Sequence, residues 1–125
     1  MKTAVELRDA VKSRFPVIAA QADVMHIKQW DSLDPQFAYS WFESLAKALN
    51  AEMLVSVDYK THAPLFNFIS TLLSACSKEV FTCIDVAFVE NLFWQVSGAK
   101  AMFYWQDLPD PLKELYIGFH GRPPP

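Results

Sequence analysis

Glycine is scarce, with three residues in 125. That disfavours folds built on many tight turns and leaves no Gly-rich loop to cradle a phosphate. Cysteine is limited to Cys76 and Cys83. Both lie in apolar helical patterns and read as reduced, buried residues of a cytosolic protein, not as a disulfide framework or a metal knuckle. His26, His62 and His120 are widely separated and form no His-Glu-x-x-His pair, so no metal is expected. Walker, nucleophile-elbow and dinucleotide motifs are also missing, and with them the expectation of a cofactor. No apolar run approaches the roughly 20 residues of a membrane span. The start, Met1-Lys2-Thr3-Ala4-Val5-Glu6, turns polar at once, unlike a secretory signal. The expected location is the cytoplasm, with no membrane contact. Runs of basic residues are absent too. A net charge of −3 is wrong for wrapping phosphates, which excludes direct nucleic-acid binding as an expectation.

What is present is apolar surface. Fifty-two per cent of residues are hydrophobic and only 20% charged, enough to place residues 1–125 in one folded domain with a substantial core. Thr3 and Glu6 match a capping box, and Ala4, Leu7, Val11 and Phe15 make one stripe of a first helix ending near Arg14. Pro16 breaks that ladder and can open a second helix reaching about Lys28. Asp34-Pro35 signals the start of a third, periodic to about Leu54. A fourth is expected to start near His62 to Pro64, with Thr61 as its cap, and to end near Cys76. Ser77 should cap a fifth, running from Lys78 to about Ser97 and closed by Gly98. Its broad stripe marks it as the central helix. The last runs from Pro111 to about Phe119, before a stiff proline-rich tail from about residue 121. The predicted fold is all-α, a compact bundle of five or six helices. An α+β alternative stays open, because residues 53–59 and 101–106 carry the β-formers for one small hairpin.

Chemistry is harder to find. Asp58 and His62, four apart, could form a relay, but Asp58 reads better as a cap before a surface histidine. His26 reads as a surface or half-buried histidine. Glu90 and Asn91 sit among large apolar residues, where hydrogen-bonded structural roles are expected. Asp110 and Glu114 fall in the first turn of the last helix, where the dipole favours acids. Charge is uneven along the chain. Residues 1–30 carry a net +2, and residues 31–125 carry −5. Aromatics reach 14%, with several rings near connecting segments. Rings among acids suit a basic protein partner, the rings as anchors and the acids for steering. The candidate contact residues are Tyr104, Trp105, Asp107, Asp110 and Glu114, with Trp30, Asp31 and Asp34 as a second group.

Three segments carry a family resemblance. They are Leu7-Arg8-Asp9-Ala10-Val11-Lys12-Ser13-Arg14-Phe15-Pro16, then Val86-Ala87-Phe88-Val89-Glu90-Asn91-Leu92-Phe93, and Leu108-Pro109-Asp110-Pro111-Leu112-Lys113-Glu114-Leu115-Tyr116. Together they resemble small helical bacterial immunity proteins associated with polymorphic toxin and contact-dependent growth inhibition systems. The resemblance implies a catalytically silent protein that binds a cognate toxin, in several such cases a nuclease, and blocks its basic cleft. It brings no catalytic residues with it. The alternatives are a regulatory adaptor or assembly subunit, and a small enzyme using a His/Asp pair.

Overall fold

A computed structural model of the chain describes residues 1–30 and 37–125, apart from the side chains of Gln29 and Trp30. Thr3 caps α1 (Ala4–Arg14), its hydroxyl accepting the Glu6 N–H at 3.1 Å. Leu7 and Val11 of its stripe are fully buried. Pro16 opens α2 (Pro16–Trp30), where a helix has no use for the missing N–H. Asp23 of α2 ties three helices together. One carboxylate oxygen accepts the indole N–H of Trp41 at 2.8 Å, and the other meets Lys12 Nζ at 3.1 Å. His26 is not at the surface: it is 1% exposed, and burial holds its pKa below the ordinary histidine value.

The central helix is α3 (Ala38–Leu54), not the stretch after Ser77. Ten of its 17 residues are buried, and it packs against α1, α2, the irregular helical stretch over Cys83–Asn91 and the helix over Gly98–Trp105. The Asp34-Pro35 start signal lies outside the described residues.

Asp58, rather than Thr61, caps α4 (Tyr59–Leu72), accepting the Lys60 N–H at 2.9 Å. The helix therefore starts earlier than expected and ends before Cys76. Ser77 caps α5 (Lys78–Thr82) as expected, its hydroxyl accepting the Val80 N–H. The predicted long fifth helix does not continue regularly, however. It widens into a π turn over Cys83–Phe88, tightens into a 3-10 turn over Val89–Asn91, and then stops. Phe93 and Gln95 take left-handed conformations, with φ of 68° and 57°. Asn50 of α3 fixes this break. Its amide donates to the Asn91 carbonyl at 2.9 Å, and its carbonyl oxygen accepts the Phe93 N–H at 2.8 Å. The amide of Asn91 donates back to Ala87 O, a structural role of the kind expected for it.

Gly98 does not close a helix; it begins α6 (Gly98–Trp105). A Cβ at this position would stand 2.2 Å from the Pro125 carbonyl oxygen, so the missing side chain makes room for the tail. The last helix, α7 (Asp110–His120), ends on Gly121, which is left-handed (φ 77°) and donates to Ile117 O at 2.7 Å. The described residues thus form an all-α bundle of seven helices without a strand. The hairpin alternative fails because residues 101–105 wind into α6. Helical spacing there turns Ala101, Tyr104 and Trp105 together into the core.

Candidate functional site

At the end of α3 the chain turns through residues 55–58 into α4, and α6 packs across this corner. Ser56 takes a left-handed conformation, φ 61°. Tyr104 donates its hydroxyl proton to Val57 O at 2.8 Å. Lys100 donates to Leu54 O and lies 3.5 Å from Ser56 Oγ. Its ammonium therefore sits on the carbonyl end of α3, where the helix dipole favours a cation.

A groove of about 380 Å³ opens between the turn and α6. Met53, Val57, Asp58, Tyr59, Phe103 and Asp107 are among its lining residues. Asp58 and Asp107 are exposed, and the Phe103 ring is 66% exposed. Tyr59 is only 8% exposed, with its ring stacked on Phe66 and edge-on to Tyr104. Among the described residues its hydroxyl, which is buried, has no hydrogen-bond partner. Burial, reinforced by the Asp107 charge, pushes the Tyr59 phenol up to about 12, so it stays protonated. Tyr104 is pushed up to about 12 as well, by burial and then by Glu52, Asp58 and Tyr59.

A second hollow, about 350 Å³, lies between α7 and the π turn. It is lined by Asp85, Glu90, Glu114, Leu115, Gly118 and Phe119. Burial pushes the Asp85 carboxyl up. It does the same to Glu90, with Asp85 adding to the effect and His120 opposing it. His120 reaches Glu90 through its backbone, with Nε2 3.2 Å from the carbonyl oxygen. Phe119 is 59% exposed on the rim.

The candidate contact residues divide among different places. Asp107 lines the groove, Glu114 lines the hollow, and Asp110 is exposed in the first turn of α7. Tyr104 and Trp105 were expected to offer their rings to a partner. They are core residues instead, 1% and 8% exposed. Trp105 packs between Phe93 and Tyr116, at centroid distances of 5.9 and 5.4 Å. Asp31, Asp34 and the Trp30 side chain fall outside the described residues. Composition did not single out Phe103 or Asp58 as groove residues. The signal for Phe103 was available, because a helix that buries residues 101, 104 and 105 must turn 102 and 103 outward.

Asp58 and His62 do not form a relay. Asp58 caps α4, while His62 is buried and its Nε2 lies 3.1 Å from Glu52 Oε1. Among the described residues, no group of three His, Cys, Asp or Glu side chains is arranged to hold a metal ion, and both cysteines are free. No helix among them is long and apolar enough to cross a membrane.

Residues 8–121 match a family described as a domain of unknown function, DUF7674. The chain belongs to the DUF7674 family. No curated protein and no solved structure matches it. The DUF7674 match begins within α1 and runs through Gly121, so it takes in both the groove and the hollow.

Proposed function

We propose that this DUF7674 protein is a catalytically silent binding protein of the cytoplasm. In this reading it acts as an immunity protein, neutralising a toxin domain by covering its basic cleft. The observation that supports this best is the exposed Phe103 ring on the groove that also carries Asp58 and Asp107. A ring that the fold leaves in water, next to two carboxylates, combines an apolar anchor with charges that steer a basic surface toward it. Occupying the cleft is sufficient for inhibition, and electrostatic attraction speeds interception of an incoming toxin.

The test is co-expression with the C-terminal domain of a large secreted protein encoded by the adjacent gene. The expected result is restored growth and a purified one-to-one complex. Phe103→Ala and Asp107→Lys should each weaken that complex by about 10- to 30-fold, with an unchanged helical circular-dichroism signal. Failure to bind or to protect rejects the pairing. Tight binding without protection favours the adaptor reading.

A further inference from the structure

We propose that the groove between residues 56–59 and α6 receives the guanidinium group of an arginine side chain supplied by a partner. This deepens the binding-protein reading. Ownership of the arginine by a toxin rests on that reading, but the chemistry of the groove does not.

Charge limits what the groove can hold. Asp58, Lys100 and Asp107 are the charged residues that line the groove. Lys100 is committed to the Leu54 carbonyl and the Ser56 hydroxyl, at the negative end of α3. Its charge is met there by the backbone. Asp58 uses one oxygen to cap α4, and among the described residues neither its second oxygen nor the Asp107 carboxylate is in an ion pair. An anion would meet both acids, so the groove selects for positive charge.

The hydroxyl of Tyr59 narrows the choice. It is buried with no hydrogen-bond partner among the described residues, in a residue only 8% exposed. A buried hydroxyl left unpaired is unfavourable. Tyr59 is one of the residues lining the groove, and the Asp107 charge acts on its phenol. The hydroxyl is closed off from solvent, so a donor reaches it only by displacing the groove wall; one that does so would satisfy the phenolic oxygen and the carboxylate together.

Shape narrows it further. Met53, Val57 and Phe103 line the same space with apolar surface. An ammonium is compact and strongly hydrated, so an apolar wall suits it poorly. A guanidinium is flat and weakly hydrated, stacks on rings, and carries five donors in a fork that can reach separate acceptors. Two carboxylates and a phenol on one partly apolar groove fit that fork, and the apolar lining fits the three-methylene stem.

The experiment titrates the intact protein with Nα-acetyl-arginine methylamide, following backbone amide signals by NMR. The citrulline and lysine counterparts serve as the neutral and ammonium controls. Saturable shifts at Asp58, Phe103 and Asp107 are expected, with millimolar affinity and no response to citrulline. Asp107→Asn should weaken the arginine probe by at least about fivefold. Tyr59→Phe should weaken it severalfold while leaving the melting temperature equal or higher, because it removes a hydroxyl that has no partner. Any of four results overturns the proposal: no shifts up to about 50 mM probe, equal binding of the lysine probe, shifts confined to the α7 hollow, or a lower melting temperature for Tyr59→Phe. A failed toxin rescue beside a positive arginine titration would count against the immunity reading alone.

Discussion

The groove beside α6 and the hollow beside α7 both set carboxylates next to an exposed phenylalanine, but they handle the charge differently. In the hollow, Asp85 and Glu90 are partly desolvated and Asp85 acts on Glu90, so the cost falls on the acids themselves and their affinity for protons rises. The hollow can relieve itself by taking up a proton. In the groove the burden rests on Tyr59, a neutral hydroxyl with no partner, which cannot be relieved by titration near neutral pH. A hydrogen-bond donor relieves such a group. Two acid-bearing surfaces can therefore place the energetic burden on different groups.

The sharpest way to break this contrast is to remove the rings behind it. Tyr104→Ala, behind the groove, and Trp105→Ala, behind the Phe93 and Tyr116 cluster, should each destabilise the fold by about 3–5 kcal/mol in urea unfolding. A loss below about 1 kcal/mol would return these rings to the surface role first expected of them. Asn50→Ala comes next, at about 2–3 kcal/mol, because it strands the Phe93 N–H and the Asn91 carbonyl. Asn50 holds the segment that follows Glu90, so amide shifts should spread around the hollow and spare the groove. Equal disturbance of both would show them to be one cooperative surface.

Glu90→Gln has the smallest effect, and its sign follows from linkage. The folded carboxyl holds its proton more tightly than the unfolded one, so its contribution to stability is greatest in acid. That contribution is lost as pH rises from about 4 through the raised folded pKa. The variant should therefore gain stability over the parent between about pH 4 and pH 7, read from thermal melts across that range. His26 works in the opposite direction. Its folded pKa is lowered, so both proteins lose stability as pH falls below the ordinary value of 6.5, and the difference between them isolates Glu90. A pH-independent gain would mean that water already relaxes the Glu90 charge in the hollow.

Features governed by neighbours in sequence were readable in advance. Thr3, Pro16 and Ser77 act within one helical turn of themselves, and each starts the element expected of it. The all-α class followed from the same local periodicity. The break after Asn91 was hidden for two reasons. Leu92, Phe93 and Val96 are buried in the actual turn just as a continuous helix would have buried them, so periodicity could not distinguish the two. The group that decides the geometry, Asn50, is 43 residues from Phe93. Within the candidate site, the acids could be found by charge, but which rings face water depends on the phase of α6. The lone hydroxyl of Tyr59 is legible only once α4 and α6 are placed together.

The close approach of Pro125 to Gly98 has a practical consequence for the measurements above. A fluorophore or affinity handle added after Pro125 would begin against the first turn of α6, two residues before Lys100. Such a label would report on movements of α6 and could crowd any molecule arriving there. The arginine titration and the partner-capture assays are therefore best run without a label attached at Pro125.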